Sequence, residues 1–338
     1  MIKLTIHQFD LRLKHTFTIA RESHDVQKTV IVELEVDGVK GLGEATANSY
    51  YDVTAGGVIG ILEGIRPVIE ACQFDNPTNF WSYIHPYLRE FPFAHCALDM
   101  AANDLYGKMQ GQPLYKLWGL SADNLPQTSY TIGIDKIDVM IEKMLETPWP
   151  IYKVKLGTDR DMPIMRALRK NTDALFRIDA NCAWDVDKTV MYSKELAELG
   201  VEFIEQPMPR GTGLRPSKKV LKYSALPIIA DESCQKEPDV KDCHRKFDGI
   251  NIKLVKCGGL TPALRMIKQA RELDLKIMIG CMTESSVGIS AVAQLLPLVD
   301  YADVDGAFLL SKDIATGVTL DNGDVHFADR NGTGAELL

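Results

Sequence analysis

A 338-residue chain that is 46% hydrophobic has enough apolar material for about two domains with a substantial core. A net charge of −8, with no run of Lys or Arg, argues against nucleic acid as a partner. No stretch approaches the roughly 18 apolar residues of a membrane span. The N-terminus lacks a signal-peptide apolar region, and seven cysteines with no C-x-x-C pair read as free thiols, so the expected setting is the cytoplasm.

In chain order, residues 1–45 read as antiparallel sheet. Leu11-Arg12-Leu13 alternates, and Thr29–Val36 turns at Asp37-Gly38 into Val39–Ala45 as a hairpin. Two polar stretches, Thr18–Asp25 and Thr46–Asp52, fit neither helix nor strand and are expected to be loops. Arg21 and the Tyr50-Tyr51 pair are candidate contacts if those loops face a ligand. Residues 56–119 read as helical, most clearly the Ala-rich run Ala94–Lys108. His95 there reads as a packing or helix-surface residue. The β-then-α order implies an α+β domain over 1–120, and Leu120–Pro126 is expected to be a linker.

From Thr128 strand and helix alternate, and the expected second domain is a barrel over 126–310. Its strands are centred on Ser129–Ile132, Tyr152–Leu156, Phe176–Asp179, Val201–Glu205, Leu226–Asp231, Asn251–Leu254, Lys276–Met282 and Tyr301–Asp305. Helices are clear over Met162–Lys170, Val186–Leu199, Asp239–Lys246 and Thr261–Leu273, with a last one in Glu284–Leu296. The tail, 311–338, holds a hairpin turning at Asn322-Gly323 and is expected to rejoin the first domain.

Ionisable residues end five successive apolar runs. Lys155, Asp179, Glu205, Asp231 and Lys253 follow one another at the period of one strand plus one helix, with the same 26-residue step between the three acids. A parallel barrel carries its active site at the C-terminal ends of its strands. Three carboxylates meeting there would repel one another unless a cation neutralised them. Oxygen ligands with no His or Cys among them suit a hard ion such as Mg²⁺. Lys153 and Lys155 stand two apart and so share a face; with Lys253 they are costly to bury unless paired, and the acids could supply the pairing. Lys256 reads as a supporting residue, with an exchange of roles with Lys253 left open. The proton beside a carboxylate is very weakly acidic, and removing it generates an enediolate. A divalent ion and a nearby ammonium stabilise that charge where it develops. Lysines on strands two and six face each other across a barrel mouth, which would let one take a proton from one face of the carbon while the other donates to the opposite face. Such a lysine needs its pKa lowered, which adjacent cations can do.

Lys153-Val154-Lys155, Asp179-Ala180-Asn181, Glu205-Gln206-Pro207, Asp231-Glu232-Ser233 and the run from Asn251 to Gly259 together resemble the enolase superfamily, over essentially the whole chain. The similarity is greatest to its muconate-lactonizing-enzyme-like subgroup, whose lysine-plus-Mg²⁺ chemistry is a well-known pattern. The resemblance implies a modified (β/α)₇β barrel capped by the α+β domain. It also implies one Mg²⁺ per subunit on Asp179, Glu205 and Asp231, with Lys155 and Lys253 as the acid/base pair. Asp303-Val304-Asp305 and Cys281-Met282 resemble the corresponding segments of dipeptide epimerases, which would make Asp303 and Asp305 a site for a substrate α-ammonium. Arg21, Tyr51, Thr131, Lys153, Cys281 and Met282 complete the expected substrate contacts. Arg21, placed like a comparable Arg of Ala-Glu epimerases, suits an acidic side chain, so the expected substrate is L-Ala-D/L-Glu derived from cell-wall peptide. The alternative for Arg21 is a surface pair with Glu22 or Asp25. Non-acidic dipeptides, an N-acylamino acid racemase, a cycloisomerase and an o-succinylbenzoate synthase are the alternative activities; a Mg²⁺-binding barrel without activity is the non-enzymatic one. The expected partner is a small dipeptide, with no nucleic acid and no membrane, and a homo-oligomer is left open.

Overall fold

The structure, a computed structural model, describes residues 1–19 and 22–338. The chain opens with β1 (Lys3–Thr18), β2 (Ser23–Val36) and β3 (Val39–Thr46), which form one antiparallel sheet in that order. Asp37 and Gly38, at φ 51° and 81°, make the tight turn between β2 and β3. Alternate residues Val30, Val32 and Leu34 of β2 bury one face. The expected loop Thr18–Asp25 is corrected in part: Thr18 ends β1 and Ser23–Asp25 open β2. Pairing of β1 and β2 runs from Lys3↔Glu35 to Arg12↔Val26 and, after a register shift, resumes at Phe17↔His24 and Thr18↔Ser23. This outer arm is held by main-chain bonds and the Thr18–Ser23 hydroxyl pair (2.9 Å), so its side chains need not alternate. Arg21 lies outside the described residues.

Five helices follow: α1 (Ala55–Gly64), α2 (Arg66–Ala71), α3 (Pro77–Leu88), α4 (Pro92–Met109) and α5 (Leu114–Leu117). Thr54 caps α1 and Asn76 caps α3, each accepting from a backbone N–H of the first turn. α4 is buried along most of its length, as its Ala-rich sequence permits. Its backbone crosses β3 where that strand has no side chains: a Cβ on Gly41 would lie 2.1 Å from Ala101 O, and one on Gly43 1.9 Å from Ala97 O.

The second part is an eight-stranded parallel sheet, β4 (Tyr130–Ile132), β5 (Ile151–Lys155), β6 (Leu175–Asp179), β7 (Val201–Glu205), β8 (Ile228–Ala230), β9 (Gly249–Lys253), β10 (Lys276–Gly280) and β11 (Tyr301–Asp303), with each strand beside the next in sequence. A bridge between Thr128 and Ala302 joins the first strand to the last, and Val304 N donates to Thr128 Oγ1 (2.8 Å). The barrel is therefore closed, with the (β/α)₇β order. The connecting helices are α6 (Ile137–Glu146), α7 (Asp161–Arg169), α8 (Val186–Glu198), α9 (Leu214–Tyr223), α10 (Glu237–Cys243), α11 (Leu254–Cys257) with α12 (Leu260–Glu272), and α13 (Ser286–Ala293).

The tail adds β12 (Ala315–Thr316), β13 (Thr319–Asp321), β14 (Asp324–His326) and β15 (Glu336–Leu337), paired as β12–β15 and β13–β14. Asn322 and Gly323 make the β13–β14 turn at φ 45° and 87°. Thr333 N and Oγ1 donate to Asp104 Oδ1 on α4 at 2.7 and 3.0 Å. Among the described residues no helix is long and apolar enough to cross a membrane.

Candidate active site

Parallel strands deliver their last residues to one rim of the barrel. Lys155, Asp179, Glu205 and Lys253 end β5, β6, β7 and β9, and Asp231 follows β8 directly. Register aligns Lys155 with Asp179 and Asp179 with Glu205 on adjacent strands. Asp179, Glu205 and Asp231 are buried, and each offers a carboxylate oxygen within 4.8 Å of the other two. Three hard carboxylate oxygens at that spacing, with no His or Cys in the group among the described residues, fit a Mg²⁺ ion. Lys155 Nζ donates to Asp179 Oδ2 (2.7 Å) and Lys253 Nζ to Asp231 Oδ2 (2.9 Å). Their strands lie four apart in a ring of eight, so the two ammonium groups reach the rim from opposite sides.

Lys153, one pleat deeper, lies 2.6 Å from Glu205 Oε2, 2.7 Å from Asp303 Oδ2 and 3.7 Å from Asp179 Oδ2. Burial opposes its charge, but Asp303, Glu205, Asp179 and Asp231 together raise its pKa well above the ordinary lysine range. Burial, against the pull of Lys153, pushes Glu205 up to about 7. Asp231 is held well below the usual carboxylate range, since Lys253, Lys256 and Lys153 overcome the effect of burial. At Lys253 the acids and the cations act in opposite directions. Burial and Lys153 do lower its pKa, but Asp231 and Glu205 outweigh them and the net direction is up.

Residues behind the rim hold these groups in place. Asn251 Nδ2 donates to Glu205 Oε1 (2.7 Å), and Asn181 N to Asp179 Oδ1 (2.9 Å). Gln206 Oε1 accepts from Asp231 N and Ser233 N, each at 3.0 Å. Lys256, on α11, donates to Asp231 Oδ1 (2.5 Å) and to the carbonyls of Asp231 (2.8 Å), Cys234 (3.0 Å) and Asn251 (3.1 Å). Lys253 lines the cavity at the barrel mouth and Lys256 does not. The supporting roles of Asn251 and Gln206 were not read from the sequence, because their partners belong to other strands.

The mouth opens into a cavity of about 100 Å³. Tyr51, Thr131, Lys153, Cys281, Met282, Asp303 and Asp305, all expected substrate contacts, line it. Ser129 Oγ donates to Asp303 Oδ1 (2.7 Å), and Thr131 N to Asp305 Oδ2 (2.6 Å). Burial opposes the charge of Asp303, but Lys153 and Lys155 hold its pKa down. Burial and then Asp303 push Asp305 up to about 7. Phe17, Glu22, His24, Gln27 and Asn48 also line the cavity and were missed. Glu22 and His24 lie in the polar stretch Thr18–Asp25 and Asn48 in Thr46–Asp52, the two stretches flagged as possible ligand contacts, but nothing in residue type singled them out. Glu22 and Ser49 hydrogen-bond, tying the arm to the 3₁₀ turn Ser49–Tyr51.

Residues 1–119 match the mandelate racemase/muconate lactonizing enzyme N-terminal domain, and residues 137–338 match the enolase C-terminal domain-like family. The chain is 55% identical over 337 residues to the L-Ala-D/L-amino acid epimerase of Flavobacterium johnsoniae, covering 100% of both chains. It is 54% identical to the Maribacter sp. enzyme of the same name, covering 99% of each. The dipeptide epimerase of Enterococcus faecalis complexed with Mg and L-Leu-L-Tyr superposes with a TM-score of 0.90 at 32% identity, over 99% of each chain. The chain belongs to the mandelate racemase/muconate lactonizing enzyme family, with an enolase-like C-terminal domain.

Proposed function

We propose that the protein is a Mg²⁺-dependent dipeptide epimerase that inverts the α-carbon of the C-terminal residue by two-lysine proton transfer. The observation that carries this reading is the opposition of Lys155 and Lys253 across three clustered carboxylates. When bound to Asp179, Glu205 and Asp231, Mg²⁺ supplies positive charge that offsets the negative charge growing on the substrate carboxylate as the α-proton leaves. Lys155 and Lys253 act on opposite faces of the carbon: one removes the proton and the other returns one. Asp303 and Asp305 hold the free α-ammonium, a role that the racemase, cycloisomerase and synthase alternatives do not need. Lys153 adds positive potential beside the carboxylate. The names of the relatives support an L-Ala residue at the amino end.

The test is exchange in deuterated water with L-Ala-L-Glu, L-Ala-L-Leu and L-Ala-L-Lys. Deuterium is expected at the α-carbon of the second residue. Lys155→Ala and Lys253→Ala should each abolish epimerisation while leaving solvent exchange in one isomer only; full epimerisation by either variant would sink the two-base mechanism. Turnover of N-acetylated dipeptides as fast as free ones would remove the ammonium site.

A preference for Glu as the second residue rests on Arg21 alone. Arg21→Ala is expected to lose roughly tenfold on L-Ala-L-Glu and nothing on the others, about the size of one charged hydrogen bond. Equal losses on all three would leave an epimerase of broader range, as the relatives' names suggest for them. The seven free cysteines support a reducing compartment, and we place the protein in the cytoplasm.

A further inference from the structure

The short helix α11 joins two lysines of the site. Lys253 ends β9 and caps α11, and Lys256 lies on its single turn. Lys256 is buried and bonds to both the side chain and the carbonyl of Asp231. Beyond α11 the chain turns at Gly258 and Gly259, at φ 95° and 117°, into α12. Side chains from α3 and α4 hold this elbow. Trp81 Nε1 donates to Gly258 O (3.2 Å). A Cβ on Gly258 would lie 3.6 Å from His95 Nδ1, and one on Gly259 only 2.6 Å from Asp99 Cβ, so the elbow backbone lies directly against α4. Just past it, Asp99 accepts from Thr261 N and Oγ1 (2.8 and 2.6 Å). Trp81 is itself clamped: it stacks on His85 and His95 (4.3 and 4.6 Å between centroids), and the Arg265 guanidinium of α12 lies 4.5 Å from its ring centroid. Neither Trp81 nor Asp99 lines the cavity at the barrel mouth.

We propose that Asp99 and Trp81 are positioning residues: by fixing the Gly258-Gly259 elbow they place α11, and through it Lys253 against the substrate and Lys256 against Asp231. A helix of one turn has too few internal hydrogen bonds to hold its own shape, so its two ends decide where it lies. β9 anchors one end and the elbow anchors the other. A base must sit within hydrogen-bond reach of the proton it takes, and a misplacement of about 1 Å can cost roughly 100-fold in rate. Lys155 stands on β5, across the ring from α11, so loosening the elbow acts on one face of the α-carbon and spares the other. The inference rests on the two-lysine reading above, and one of its two readouts, equilibrium binding of Mg²⁺, needs no turnover.

Exchange of the α-proton in deuterated water is measured at saturating Mg²⁺ for the L,L and L,D isomers of Ala-Glu, Ala-Leu and Ala-Lys. The isomer that still exchanges in Lys155→Ala is the one Lys253 deprotonates. In Asp99→Ala, exchange of that isomer should fall by roughly tenfold or more relative to the other. Calorimetry should show Mg²⁺ binding weakened by about tenfold, the size of a lost outer-shell partner. Trp81→Phe keeps the ring stack and removes only the bond to Gly258, so it serves if Asp99→Ala unfolds, and both readouts should move the same way. Thr261→Val should repeat the asymmetric loss, and Thr261→Ser, which keeps the hydroxyl, should restore it. Equal losses on the two isomers, or unchanged Mg²⁺ affinity, in a folded Asp99 or Trp81 variant overturns the proposal. Absence of exchange from every isomer in wild type would defeat the epimerase reading and leave the Mg²⁺ affinities to decide the positioning role by themselves.

Discussion

Asp231 divides its two oxygens between two lysines, Lys253 on one and Lys256 on the other. The same side chain is one of the three acids clustered for a cation. Asp231→Asn keeps the shape and removes the charge that serves all three roles. We expect Mg²⁺ affinity to fall by more than the roughly tenfold that loss of an outer-shell partner costs. We also expect a stability loss of about 3 kcal/mol or more, because two buried ammonium groups lose their shared counter-charge. Calorimetry with Mg²⁺ and urea unfolding check the two parts separately; unchanged affinity would take Asp231 out of the metal site. The meeting of Asp179, Glu205 and Asp231 could be foreseen because each ends an apolar run and the spacing repeats. The four-way bonding of Lys256 could not, because three of its acceptors are backbone carbonyls that leave no mark on residue type.

The contact between α4 and the start of α12 runs through one buried acid. Asp99 Oδ2 accepts from Thr261 N (2.8 Å) and Asp99 Oδ1 from Thr261 Oγ1 (2.6 Å). Burial, against those hydrogen bonds, raises its pKa to about 7. The folded protein therefore keeps a proton here up to about pH 7, whereas the unfolded chain releases it near 3.9. Between those values the native state binds the extra proton, so stability falls as pH rises from about 4 to 7 and levels off above. Asp99→Asn mimics the protonated acid and should lose this share of the slope, about 1 kcal/mol per pH unit, in urea midpoints taken across the window. Parallel profiles for wild type and variant would show that Asp99 does not titrate there. At this scale the sequence was readable where a segment had a buried face. It was not read at α6, which buries Met140 and Met144, at α9, which buries Ser217 and Val220, or in the outer arm of β1 and β2. The outer arm presents too little core to impose its period on the residues.

Across the whole molecule, the barrel order followed from the strand-plus-helix period, and the N-terminal sheet from alternation and the Asp37-Gly38 turn. The contacts that cross between distant parts did not, since hydrogen bonds such as Thr333 to Asp104 span 229 positions. The seam between β4 and β11 is another such junction, and it has a kinetic consequence. Asp179, Glu205 and Asp231 come from three consecutive strands, so local chain assembly brings them together. Asp303 and Asp305 reach Ser129 and Thr131 only across 174 positions, when the first and last strands meet. Closing so long a loop is slow relative to building neighbouring units. A chain diluted out of denaturant should therefore regain its affinity for the ion before its affinity for the dipeptide, and stopped-flow binding of each ligand during refolding would register the interval. The two affinities returning together would mean that the rim forms in a single step. A delay would mean that the seam acts as a clock, with substrate recognition the last property the chain acquires.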